Sequence, residues 1–239
     1  MKKNKYVLGI SVFNEGDKIL RVIERFNDYD TYDVLIMDDG STDGSMERIP
    51  LNSHIFIVRQ TENRGAGHSV RSCLRWAEEK GYEALFLVAG NNKDTPEDIV
   101  KLVDGMAAGF DLVQGSRYLP GGSFGNMPFY RTVATRLVHP LLFSLITGRR
   151  ITDSTNGFRA IRLSILEDKR IDLDQSWLDH YELEPYIFYK IIRLGYKVKE
   201  VPVRKVYPPH AMGYTKMKPV TGWWSILRPL VFLGLGIKK

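Results

Sequence analysis

Two aspartates close the clearest strand signal in the chain. Val34-Leu35-Ile36 runs into Met37-Asp38-Asp39-Gly40-Ser41-Thr42-Asp43-Gly44-Ser45. This puts Asp38 and Asp39 at the carboxyl end of a buried strand, the edge where open α/β sheets bind ligands. Carboxylates there can accept hydrogen bonds from a base or a ribose; the alternative is an ordinary turn capping a helix through Ser41 or Asp43. The first apolar run ends in Ser11-Val12-Phe13-Asn14-Glu15, at the same end of the sheet. Phe13 offers a flat wall for a base, and Glu15 and Asp39 a polar edge. Glu62-Asn63-Arg64-Gly65-Ala66-Gly67 follows the third run. Its glycines allow a phosphate to approach the backbone, and the next helix offers free N–H groups. Arg64 or His68 supplies any positive charge there, against a simpler reading of His68 as a surface helical residue. Together these residues describe a cleft for a phosphorylated nucleotide.

Such residues need a frame that gathers strand ends. Apolar runs at 6–12, 33–37, 54–58, 84–89 and 111–114 alternate with helical spacing, clearest at 66–79 and 96–107. This alternation predicts a parallel sheet covered by helices. Thr95, Pro96 and Glu97-Asp98 mark a helix start. The second half is less regular: helices are expected over 130–147, kinked at Pro140, and over 182–194, with a strand at 197–203. One domain is expected from 239 residues with 44% hydrophobic content. The single cysteine, Cys73, rules out an internal disulfide framework, fits a reducing cytosol and reads as a buried spectator.

Charge is uneven. Of the net +6, residues 193–239 carry ten Lys/Arg against one acid, Glu200, leaving the remainder of the chain net negative. Trp223, Trp224, Leu227, Leu230, Phe232 and Leu233 lie among these cations, a composition suited to an anionic membrane surface rather than to nucleic acid. The competing reading is a terminal helix packed on its own domain. The apolar stretch, broken by Arg228-Pro229, is shorter than the ~20 residues a transmembrane span needs. The charged start Met1-Lys2-Lys3-Asn4-Lys5 does not read as a secretory leader. A cytoplasmic protein, peripheral on the inner membrane face, is expected.

The Asp-Asp-Gly-Ser turn after a strand resembles the signature of family 2 glycosyltransferases, and motifs agree in order over roughly residues 5 to 216. Gly115-Ser116-Arg117 and Asp153-Ser154-Thr155-Asn156-Gly157-Phe158-Arg159 resemble those of the dolichol-phosphate mannose synthase type, enzymes that glycosylate polyprenyl phosphates. The resemblance implies a single Rossmann-like α/β domain of the GT-A fold with a mostly parallel sheet. It implies a catalytic domain over 1–216, a basic amphipathic tail over 217–239, a nucleoside-diphosphate sugar donor, inversion at the anomeric carbon and a lipid-phosphate acceptor. Val12, Phe13, Glu15, Asp38 and Asp39 then face the base and ribose.

The family's Asp-X-Asp motif, which holds a divalent cation against the diphosphate, falls on Ala89-Gly90-Asn91, and both carboxylates are missing. Three readings stay open. Lys93 replaces a magnesium or manganese ion by neutralising the leaving group; or Asp94 with Asn91 keeps an ion, helped by Asp39 and substrate oxygens; or the site is degenerate and the chain only binds a nucleotide sugar. A nucleotidyltransferase ranks last, because it would place a glycine-rich loop where this chain has Phe13-Asn14-Glu15.

By the same resemblance, Arg117 and Arg131 face the acceptor phosphate, a role suited to planar guanidinium groups; surface ion pairs are the alternative. Segment 130–147 either dips into a bilayer boundary or packs as a core helix. Asp153 orients the sugar or accepts a proton, or else orders its own loop. Glu184, with Glu182 as fallback, approaches the donor sugar, unless both acids merely suit a helix start. Lys216, in Gly213-Tyr214-Thr215-Lys216, closes over the diphosphate. His139 before Pro140 reads as structural.

Overall fold

A computed structural model describes residues 4–207 and 221–238. Strands β1 (Tyr6–Val12), β2 (Tyr32–Asp38), β3 (Ile55–Arg59), β4 (Ala84–Ala89) and β5 (Leu112–Ser116) alternate with helices α1 (Asp17–Arg25), α2 (Ala66–Glu79) and α3 (Ile99–Ala107). The short β6 (Ser123–Gly125) leads to α4 (Phe129–Val133), a π turn over Ala134–Val138 and α5 (His139–Thr147). The chain ends with β7 (Arg159–Arg162), α6 (Leu183–Arg193), β8 (Val198–Pro202), β9 (Arg204–Val206) and α7 (Thr221–Gly234).

Seven strands form one sheet in the order β3-β2-β1-β4-β7-β5-β8. All neighbours are parallel except β7, which is antiparallel to both β4 and β5. The expected alternation therefore holds with one insertion. Arg159-Ala160-Ile161-Arg162 has two apolar residues between two arginines and gives too weak a periodicity to read as a central strand. Strands buried on both faces read as near-continuous apolar runs, and β2, buried throughout, has Val34-Leu35-Ile36-Met37 between Asp33 and Asp38. Val7, Leu35, Met37, Leu85 and Leu87 meet α2, α5, α6 and α7 on one face. Leu8, Ile10, Ile36, Phe86 and Val88 meet α1 and α3 on the other. Cys73 is fully buried, and burial pushes its thiol up to about 12, so it has no thiolate chemistry at neutral pH.

Register aligns the strand ends. Val12 pairs with Asp38, and Ser11 with Ala89. The segments after β1, β2 and β4 therefore leave the sheet side by side.

Residues 129–147 are helical, as expected, and their irregularity has a local cause. Pro140 has no N–H to give the preceding turn, and the π turn lies immediately before it. This segment is not a core helix throughout: Phe143 is fully buried, while Leu137, Leu141 and Leu145 are 60–70% exposed. Helix α7 runs through Pro229 and packs on the domain through buried Leu230 and Leu233, while Trp224, Leu235 and Ile237 stay exposed. Among the described residues no helix is long and apolar enough to cross a membrane.

Candidate functional site

The exits of β1 and β2 are tied to each other. Asn14, in the left-handed region at φ 50°, receives the Thr42 N–H on its side-chain oxygen and donates its own N–H to the Ser41 hydroxyl. Asp43 accepts the Gly16 N–H. Asp38 turns away from the cleft: it is fully buried, accepts the Ser41 N–H at 2.9 Å and pairs with Arg59 at 3.2 Å. Val12 is likewise a core residue by its side chain, and its carbonyl accepts the Asp39 N–H. Phe13 and Glu15 are half-buried at the strand end, Glu15 being 3.6 Å from Lys18.

Asp39 orders a loop. Its carboxylate accepts the Arg64 N–H at 3.0 Å, the Gly65 N–H at 2.9 Å and the Asn63 side-chain amide at 2.9 Å. The glycines here serve an approach the sequence did not reveal. A Cβ on Gly67 would lie 2.0 Å from the Leu178 carbonyl oxygen, and one on Gly65 would lie 2.6 Å from that of Asp179. The chain's own residues 178–180 make the close approach to this backbone, and the His68 N–H goes to the Asp179 carbonyl. His68 is buried rather than on the surface; burial, then Arg64 and Arg71, hold it below the ordinary histidine range. The Arg64 side chain is exposed.

Arg117 and Asp153 are each other's partners. Asp153 is fully buried and receives Arg117 Nε at 2.7 Å, Nη2 at 2.8 Å and the Arg117 backbone N–H at 3.1 Å. The guanidinium also donates to the Tyr207 hydroxyl and to Thr155 Oγ1, each at 2.7 Å. Burial alone would raise the Asp153 carboxyl, but the Arg117 charge outweighs it and holds the group below the usual carboxylate range. A saturated carboxylate of this kind is a poor proton acceptor and a strong organiser. In this arrangement Asp153 orders its own loop, the alternative held open above, and Arg117 is turned inward onto it. Glu200 on β8 fixes the same loop by accepting the N–H groups of Thr152 and Asp153.

The end of β4 differs most from the sequence reading. Asp94 is 2% exposed, and its Oδ1 lies 2.7 Å from Lys205 Nζ. Asn91 accepts the Lys93 N–H, and Asn92, at φ 56°, turns outward to Arg25. Lys93 lies 5.3 Å and Arg131 5.5 Å from the Tyr207 ring centre, both within cation–π range of one ring. Burial, then Lys205 and Arg131, push the Lys93 ammonium down to about 8, with Glu15 opposing. Lys205 and Tyr207 were not singled out from sequence. The available signal was alternation: Val201, Val203, Lys205 and Tyr207 form one buried row, and a lysine in such a row is out of place.

A divalent ion does not fit this donor set. Among the described residues no three His, Cys, Asp or Glu side chains could hold a metal. The oxygens at hand are the Asn91 amide, the Glu15 carboxylate beside Lys18 and an Asp94 carboxylate already bound to an ammonium. Lys93, Lys205, Arg131 and Lys18 stand against two carboxylates, Glu15 and Asp94. Such a cluster attracts an anion.

Glu184 is partly exposed and lies 3.5 Å from buried Arg159 and 3.2 Å from the Cβ position of Gly157. Glu182 is not available to a ligand: it is 1% exposed, accepts the Ser225 hydroxyl and pairs with Arg228 at 2.6 Å, fastening α7 to the start of α6. His139 is structural, contacting Ser154 Oγ at 2.6 Å and the Ile226 carbonyl at 3.3 Å, and burial lowers it to about 4. Lys216 and its loop lie outside the described residues.

Residues 8–169 match the family model described as Glycosyl transferase family 2. A polyprenol monophosphomannose synthase of Mycolicibacterium smegmatis is 29% identical over 214 residues, covering 87% of this chain and 79% of that protein. An undecaprenyl-phosphate mannosyltransferase of Micrococcus luteus is 29% identical over 213 residues, covering 87% and 85%. Among solved structures, glucosyl-3-phosphoglycerate synthase from Mycobacterium tuberculosis, in a complex with Mn2+ and UDP, superposes with a TM-score of 0.66 at 16% identity, covering 97% of this chain and 78% of that one.

Proposed function

The chain belongs to glycosyltransferase family 2, and from that premise we propose that it moves a hexose or aminosugar from a nucleoside diphosphate to the phosphate of a polyprenyl phosphate, inverting the anomeric centre. The observation that carries this reading is a cation cluster beyond the end of β4: Lys93 and Arg131 both lie over the Tyr207 ring, and Lys205, paired with Asp94, is close enough to lower Lys93. A diphosphate leaving group is the anion such a cluster suits. The relatives' names supply the acceptor class.

In this reading Phe13 and Glu15 receive the base and ribose, and Asp39 acts through the loop it orders. Lys93 neutralises the diphosphate, and Glu184 approaches the sugar. An acceptor phosphate oxygen attacks the anomeric carbon as the bond to the diphosphate breaks, and the bonding pair leaves with the nucleoside diphosphate. A phosphate is already deprotonated, so no general base is needed and positioning is the main task. This agrees with an Asp153 that is saturated by Arg117. The Arg117–Asp153 pair holds the acceptor-side wall, including Tyr207, and Arg131 faces the acceptor phosphate.

Residues 1–216 carry the transfer, and 217–239 help seat the protein on the cytoplasmic face of a membrane. A groove of about 660 Å³ supports that seat, with Leu137, Leu141 and Leu145 beside Arg136, Arg149 and Arg150. Exposed apolar residues rimmed by cations suit an anionic bilayer. No nucleic-acid partner is proposed.

A non-catalytic nucleotide-sugar binder is the second reading, favoured by Ala89-Gly90-Asn91. Incubation with a panel of nucleoside-diphosphate sugars and a short polyprenyl phosphate separates the two. Mass-spectrometric detection of a glycosyl-phosphate lipid is expected from wild type and not from Lys93→Ala. Binding of a donor with no product from any member of the panel would favour the binder.

A further inference from the structure

Lys205 is in an expensive place. It lies on the inward row of β9, 8% exposed, where an apolar residue would pack at no electrostatic cost. Its ammonium is 2.7 Å from Asp94 Oδ1 and 3.0 Å from Asn156 Oδ1. The other Asp94 oxygen, Oδ2, is buried and makes no hydrogen bond among the described residues. Asn156 is held rigidly: its side-chain amide donates to the Gly115 carbonyl at 3.0 Å, and its own carbonyl accepts from Gln114 and Arg159. Two fixed oxygens, Asp94 Oδ1 and Asn156 Oδ1, thus hold one positive charge, just beyond the strand end where the Asp-X-Asp motif would have stood. Oxygen donors around a hard cation are how magnesium or manganese is held; here the cation is part of the chain.

We propose that Lys205 is a tethered replacement for the divalent ion: held by Asp94 and Asn156, its ammonium joins Lys93 in binding the donor diphosphate, so that donor binding needs no metal. The inference deepens the proposed function and rests on it. It also explains the pairing of two departures from the sequence pattern. A lysine on β9 would be harmful beside a metal held by paired aspartates, and Asp94 alone could not hold one. Lys205 links both sides of the cleft as well, since Asp94 follows the donor-side strand β4 while Asn156 belongs to the loop that contains Asp153.

The test is binding of GDP, UDP and inorganic pyrophosphate by calorimetry, in chelator and in millimolar manganese, with wild type, Lys205→Arg, Lys205→Met and the double variant Asp94→Asn/Lys205→Met. Wild type and Lys205→Arg should bind in chelator, with manganese changing the affinity by less than about threefold. Lys205→Met should lose at least about tenfold in chelator, the scale of one hydrogen bond to a charged group. Manganese should recover that loss, because both Asp94 oxygens and Asn156 Oδ1 are then free to ligate it. The double variant should lose affinity without recovery. A merely structural lysine would give a loss that manganese does not reverse, and this result overturns the proposal.

If Lys205→Met does not fold, the wild type decides: tightening by tenfold or more on adding manganese overturns the proposal, and indifference to manganese supports it. Wild-type binding that requires manganese removes this inference and leaves the proposed function standing. Failure of every diphosphate to bind under either condition removes both.

Discussion

Replacing Asp153 by alanine should destabilise the protein whatever it does to catalysis. The carboxylate is fully buried and takes three N–H groups from Arg117 and one from Thr155. Without it the Arg117 guanidinium, 4% exposed, keeps the Tyr207 and Thr155 hydroxyls and the Met127 sulfur but loses its counter-ion Asp153. Removing one partner of a buried pair costs about 3–5 kcal/mol. For a chain of this size that lowers Tm by about 6–20 °C, at roughly 2–4 °C per kcal/mol. The double variant Arg117→Met/Asp153→Leu should lose less than either single variant, since no unpaired charge is left. Urea and thermal unfolding followed by tryptophan fluorescence measure both. The pH dependence has a fixed sign. The folded carboxyl lies below the unfolded value of about 3.9, so the stabilisation is complete above that value and is lost as pH falls through the folded one. The difference between wild type and Asp153→Ala should therefore be flat across neutral pH. A variant that kept wild-type stability but lost all transfer would refute this reasoning and return Asp153 to the role of a base.

Three further outcomes follow from the geometry. Burial and the Lys205 and Arg131 charges lower Lys93 to about 8 in the free protein, so affinity for nucleoside diphosphates should weaken as pH rises through that region, and Lys93→Arg should abolish the trend; a pH-independent wild type would contradict it. Gly67→Ala should destabilise the protein by about 1–3 kcal/mol through overpacking against the Leu178 carbonyl, measured by urea unfolding, although helix propensity alone predicts a gain of about 1 kcal/mol. His139 is lowered to about 4 by burial, so the unfolded chain binds more protons between that value and about 6.5. Stability should then fall as pH drops across this window, and His139→Gln should flatten the slope of the unfolding midpoint.

The parallel strands, α2 and the helix at α6 were legible because each presents its own periodicity. β7 was not, since two apolar residues flanked by arginines become a strand only once β4 and β5 lie on either side. The positions of Asp39, Arg117 and Asp153 could be read as a set, but not their directions. Nothing local tells a carboxylate that accepts amides from its own chain from one that awaits a ligand. The glycines of Gly65-Ala66-Gly67 mark close approach, and only tertiary structure reveals residues 178–180 as what approaches. Lys205 was the most informative residue passed over. The strand expected at 197–203 stops short of it, and two more steps of the same alternation would have exposed a cation on the buried row.

Transfer assayed in chelator tests the account most directly. Wild-type protein, stripped of metals and supplied with labelled nucleoside-diphosphate hexoses and a short polyprenyl phosphate, should form a glycosyl-phosphate lipid whose anomeric configuration is opposite to that of the donor. Product that appears only when manganese or magnesium is added would contradict the claim that Lys93 and Lys205 carry the charge of the missing ion.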